Sequence, residues 1–151
     1  MRKGCIAFLF ILLAGVIWFA ESRSFFCLQN GRCITVWKTF GDVCYIAPGK
    51  YFGVLAPSTD FIKTSNTSDI TIFFYDELPN ILIYQSDDIV EVKTGSGKNP
   101  VLYDFSSDTS KYFKMLYMPD AKRHKDVKQN VEFISVYIRD IYARDKRGRN
   151  L

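Results

Sequence analysis

Phe25-Phe26-Cys27-Leu28-Gln29-Asn30-Gly31-Arg32-Cys33-Ile34-Thr35-Val36-Trp37 places two runs rich in aromatic and β-branched residues on either side of Asn30-Gly31. Asn-Gly between such runs is the strongest short-range sign of a β-hairpin, because both residues tolerate the positive φ of a tight turn. The length of the loop sets the register. A two-residue loop would put Leu28 opposite Cys33. A five-residue loop, 28–32, puts Cys27 opposite Cys33 and permits a disulfide in an oxidising compartment. Without a bridge, Cys27, Cys33 and Cys44 read as three small buried apolar side chains. An odd number of thiols past the N-terminal segment leaves at least one of them unpaired or paired between chains.

Turn signals recur outward from this hairpin. They fall at residues 39–42, at Pro48-Gly49, at Pro57-Ser58, at 64–68, at Pro79-Asn80, at Ser86-Asp87-Asp88 and at 95–99. Between them lie Val43 to Ala47, Lys50 to Leu55, Phe61-Ile62, Ile70 to Tyr75, Ile81 to Tyr84, Ile89 to Lys93 and Val101 to Phe105, each predicted as a strand. Short strands at a spacing of about 8–12 residues are the mark of a sandwich or barrel. The last third is less regular. Lys111 to Met118 fits a strand or a short amphipathic helix, so one helix near 110–118 is admitted. Residues 119–130 are polar and basic and read as a loop. Val131 to Tyr142 is rich in Val, Ile, Phe and Tyr, which favours a strand, although its apolar positions do not alternate cleanly and a helix remains open. The predicted fold is mainly β, an antiparallel β-sandwich or partly open barrel that follows an apolar helix.

That helix is the N-terminal stretch. Arg2 and Lys3 precede Gly4 to Ala20, which carry no charge. A basic start followed by an apolar run is the pattern of a secretory signal peptide. Cleavage after Ser22 or Ser24 would put small residues at the last and third-last positions, whereas cleavage after Ala20 would put Trp18 in a slot meant for a small residue. Left uncleaved, residues 4–20 would engage a membrane, at the lower end of the ~17–25 residues that span a bilayer. A third reading is a buried core helix. Cys5 precedes the apolar run, unlike the acylated Cys of a bacterial lipoprotein. The expected organisation is thus a signal peptide or anchor over 1–24 and one exported β-rich domain over 25–151.

Composition supports one ordinary domain with an aromatic excess. In 151 residues, 16% are aromatic, which favours pleated, half-buried surfaces. Tyr45, Tyr51, Phe52, Tyr103, Tyr112 and Tyr117 are assigned mainly to the core, because soluble monomers expose few apolar patches. Charge is unevenly divided. Residues 25–110 hold 6 Lys and Arg against 10 Asp and Glu, and residues 111–151 hold 11 against 5. Lys122, Arg123, Lys125 and Lys128 form a candidate basic patch for an anionic partner, set against a solvated loop that pairs with the acidic remainder. No nucleic-acid motif is present.

No constellation for catalysis, metal or cofactor is legible. The one histidine, His124, sits among three cations, and a Cys44–His124 pair has no supporting motif. Three thiols spaced by six and eleven residues match no common zinc pattern. Asp76-Glu77 and Asp87-Asp88 flank turns. Gly95-Ser96-Gly97-Lys98 lacks the spacing of a phosphate loop, and Asn66-Thr67-Ser68 matches a glycosylation sequon. Two functions stay in view. One is a non-enzymatic module at the cell envelope that binds a protein or ligand. The other is a small exported hydrolase-like enzyme.

Overall fold

The computed structural model describes residues 2–39, 41–76, 79–95, 97, 101–104 and 131–151. An N-terminal helix, α1 (Arg2–Glu21), is followed by ten strands: β1 (Arg23–Cys27), β2 (Cys33–Lys38), β3 (Val43–Pro48), β4 (Phe61–Ser65), β5 (Asp69–Tyr75), β6 (Ile81–Gln85), β7 (Ile89–Lys93), β8 (Val101–Asp104), β9 (Val131–Tyr137) and β10 (Tyr142–Asp145). They form two five-stranded sheets, ordered β1-β2-β3-β4-β7 and β10-β9-β5-β6-β8. The inward side chains of both sheets make one core, with Phe26, Ile34, Val36, Cys44, Ile46 and Ile62 from the first and Ile70, Ile72, Phe74, Leu82, Ile134 and Val136 from the second. This is the predicted sandwich. One pair departs from antiparallel order: β6 and β8 run parallel, Ile81 opposite Val101. The cause is topological. β7 crosses to the other sheet between them, so the chain re-enters beside β6 in the same direction, and parallel neighbours need such a crossover.

The hairpin around Asn30-Gly31 adopts the five-residue loop. Cys27 pairs with Cys33 across β1 and β2, and the two are joined by a disulfide at a Cα separation of 4.1 Å. Gly31 takes φ 83°, the left-handed conformation for which glycine is suited.

Two sequence expectations are corrected. Lys50 to Leu55 is not a strand. The chain turns at Gly49 (φ 74°) and residues 50–60 form a long connection from β3 to β4. The run from 131 to 142 is neither one strand nor a helix. It is β9 and β10 joined by residues 138–141, with Tyr137 opposite Tyr142. The imperfect alternation arises because Phe133 and Tyr137 lie out of phase with the buried Ile134, Val136 and Ile138, and their rings pack instead on Phe73 and Tyr142. The proposed helix near 110–118 and the polar loop 119–130 lie outside the described residues.

Helix α1 turns none of its described side chains toward the sandwich core. Its side chains over residues 6–16 are all exposed, Ile6, Phe8, Leu9, Phe10, Ile11, Leu12, Leu13 and Val16 among them. No described side chain of α1 belongs to the sandwich core, which speaks against a buried core helix over residues 6–16. Among the described residues, no helix is long and apolar enough to cross a membrane.

Candidate functional site

Residues 50–60 lie as a strap over the outer face of the first sheet. Alternation along β1 and β2 sends Phe26, Ile34 and Val36 inward and turns Arg23, Phe25, Thr35 and Trp37 outward. Yet Thr35 and Trp37 are buried, Trp37 to 5% exposure, because the strap covers them. The strap begins by bonding to the sheet. Thr35 Oγ1 donates to the Gly49 carbonyl at 2.7 Å and accepts from the Tyr51 amide at 2.7 Å. The Tyr51 ring then stacks on Trp37 with centroids 6.3 Å apart, and Trp37 and Phe61 flank Tyr45. The result is a second, aromatic layer outside the main core.

Arg23 clamps this layer. Its guanidinium lies 3.9 Å from the centre of the Trp37 ring, and Nη2 donates to the Gly53 carbonyl at 2.7 Å. The side chain is 7% exposed. Burial draws its pKa down, opposed by nearby Tyr51, and the group stays charged because arginine does not deprotonate in proteins. The cation–π contact and the charge-assisted hydrogen bond together offset that burial. Gly53 is required for a different reason: a Cβ there would collide with the Tyr51 ring and hydroxyl. Tyr51 Oη donates to the Leu55 carbonyl at 2.8 Å, so the strap folds back on its own tyrosine.

The strap presents an apolar tip to solvent. Phe52 is 66% exposed, Val54 77% and Leu55 79%. The Phe25 ring packs tilted against Phe52, ring centroids 5.1 Å apart. At about 200 Å² per large side chain these four expose on the order of 500 Å², the upper part of the range for the largest patch on a soluble monomer. The patch sits on a hydrogen-bonded, aromatic-backed segment rather than on a loose loop.

The opposite end of the strands carries the disulfide loop. Arg32 forms an ion pair with Asp76 at 2.9 Å and lies over the Phe74 ring, tying the loop to the second sheet. Open clefts of about 260 and 300 Å³ flank it, one against Pro48 and Leu82, the other between Asn30 and Arg147. Arg149 in the second cleft is already held by Asp145, at 2.5 Å.

The residues singled out by chemistry are mostly structural. Cys44 is buried, and loss of solvent pushes its thiol up to about 12, against weaker opposing effects of Lys38 and a backbone hydrogen bond at Trp37, which disfavours the thiolate. Asp76 is the partner of Arg32. Asp88 accepts from Ser68 Oγ at 2.8 Å, and its carbonyl accepts from Thr64 Oγ1 at 2.7 Å. Asn66 Nδ2 donates to the Gly41 carbonyl and its amide N–H to the Asp42 carbonyl, so the sequon asparagine pins a turn. Gly95, read as part of a turn, donates its N–H to buried Asp60. No group of three His, Cys, Asp or Glu among the described residues is arranged to hold a metal ion. Lys122, Arg123, Lys125, Lys128 and His124, with Tyr112 and Tyr117, lie outside the described residues.

Of the aromatic set assigned mainly to the core, Tyr45 and Tyr51 are half-buried beneath or within the strap, outside the core cluster, and Phe52 is exposed. Arg23, Trp37, Gly53, Val54 and Leu55 were not singled out by sequence. The available signal was Pro48-Gly49 and Pro57 bracketing an apolar segment without a carboxylate. No protein-family model matches the chain, and no curated protein and no solved structure is similar to it.

Proposed function

We propose that α1 takes this chain to a membrane for export or anchoring, and that the sandwich is a non-enzymatic binding module facing the outside of the cytoplasm. The observation that carries this reading is a division of labour within the chain. The sandwich seals its own core, while α1 leaves every described side chain exposed, all of them apolar but for Gly15. An apolar surface of that extent is unfavourable in water and calls for a lipid or translocation environment. The disulfide Cys27–Cys33 suits an oxidising compartment.

The strap bears on where a leader would be cut. Arg23 and Ser24 are the first residues of β1, opposite Trp37 and Val36. Cleavage after Ser24 would remove the Arg23 clamp, and cleavage after Ser22 would keep it. The reading therefore favours either a mature N-terminus at Arg23 or retention of α1. The apolar tip at Phe52, Val54 and Leu55 is the surface through which the module would make contact with its surroundings. Expression with the native leader, cell fractionation and mass spectrometry of the N-terminus test the proposal. An N-terminus at Arg23 in a soluble envelope fraction, or an intact Met1 in the membrane fraction, supports it. Full-length protein recovered from the cytosol refutes it.

A further inference from the structure

We infer that the strap tip, Phe52, Val54 and Leu55 with Phe25 beside it, is a second lipid contact that enters the membrane interface next to α1. The inference deepens the reading above and rests on α1 being held in lipid. Its basis is distance along the chain. Helix α1 ends at Glu21, Arg23 opens β1, and the Arg23 guanidinium is 2.7 Å from the Gly53 carbonyl. Two extended residues and one arginine side chain therefore place the middle of the strap within roughly 15 Å of the helix end. With that end at a membrane surface, an apolar tip so tethered lies within reach of the headgroup region, into which interfacial apolar faces sink by about 5–10 Å.

The tip suits that location. It is rigid before contact, because Thr35, Trp37, Arg23 and the Tyr51–Leu55 hydrogen bond fix the strap, so little ordering is required on insertion. Residues 50–59 contain one charge, exposed Lys50, and no carboxylate that anionic lipid would repel. The first acid, Asp60, is buried and accepts from the Gly95 amide. A lipid surface thus accounts for both the composition of the tip and its place beside the helix.

The test uses the full chain with Cys5→Ser, reconstituted through α1 into phosphatidylcholine vesicles. An environment-sensitive nitrobenzoxadiazole probe is attached at Leu55→Cys, and in a second protein at Arg147→Cys, an exposed position at the other end of the strands. Buried Cys44 does not compete for the label. The Leu55 probe is expected to shift to the blue and to lose emission when the vesicles contain lipid with a nitroxide near the headgroup, while the Arg147 probe does neither. Adding Phe52→Asp should return the Leu55 probe to water. Three results overturn the inference. If the protein floats with the vesicles but the Leu55 probe stays in water, the strap contact is wrong and the α1 reading survives, leaving the tip to a protein partner. If the protein does not float, both fail. If Phe52→Asp leaves the quenching unchanged, the probe and not the strap drives insertion.

Discussion

A single Cβ decides whether the strap keeps its shape. Gly53 lies under the Tyr51 ring, which is held by its stack on Trp37 and its hydrogen bond to Leu55. In Gly53→Ala the ring must swing away and forfeit both contacts. The expected cost is about 1–2 kcal/mol, as for overpacking a well-filled site, read as a lower denaturant midpoint at unchanged slope. An unchanged midpoint would mean that Tyr51 is free to move and the tip is not preorganised. The other residue with a sharp consequence is Cys44. Its folded-state pKa of about 12 lies above the ordinary 9.0, so the folded chain holds the proton more tightly than the unfolded chain. The associated stability is fully present below pH 9.0 and is lost as pH rises from there through about 12. Other groups titrate in that window, so the informative quantity is a difference. Unfolding curves of the wild type and Cys44→Ala at rising pH should converge, because the variant lacks this alkaline loss; parallel curves would contradict the assignment.

Elements differ in how openly the sequence announces them. The disulfide hairpin was legible because Asn30-Gly31 and the cysteine spacing both bear on register, and only the five-residue loop brings Cys27 opposite Cys33. Closing so short a loop restricts the unfolded chain by about 2 kcal/mol in the chain-entropy account. Cys27→Ser with Cys33→Ser should therefore cost about that much, measured by chemical denaturation. A much larger loss would mean that the bridge also holds the loop on the second sheet through Arg32 and Asp76. The turn between β9 and β10 was not legible. Turn chemistry relies on Gly, Asn, Asp and Pro, but this turn has only Asp140 of these, and the left-handed position falls on β-branched Ile141, at φ 52°. Ile138 is fully buried, Ile141 packs against the core and Lys38 Nζ donates to the Arg139 carbonyl at 2.9 Å. Tertiary packing overrides local preference here. The strap was misread for a related reason. Lys50 to Leu55 has the composition of a strand, but its amides and rings bond to the outer face of a sheet already complete beside it. Period and propensity cannot distinguish a strand from a segment that packs across strands.

At the scale of the whole molecule, the described core is built by the two sheets, and no described side chain of α1 belongs to it. The two-layer arrangement followed from turn spacing, because each short run must pair with a neighbour and bury one face, although residues 50–55 proved to be a strap and 131–142 two strands. The parallel β6–β8 pair did not, since crossing between layers leaves no trace in local pattern. The exposed apolar tip was hidden as well, because exposure of Phe52, Val54 and Leu55 depends on what the strap covers and not on what it contains. The division itself makes a prediction. If α1 serves delivery or anchoring, a chain beginning at Arg23 keeps β1, the Arg23 clamp and the full core. Its melting temperature should stay within the few degrees that about 1 kcal/mol represents for a domain of this size. A chain beginning at Phe25 loses the clamp and the first two residues of β1, uncovers Trp37, and should melt markedly lower. Equal melting of the two truncated chains would remove Arg23 from the strap's support. A large loss in the chain that begins at Arg23 would show that α1 belongs to the fold, and with that the case for a delivered, self-contained module would fall.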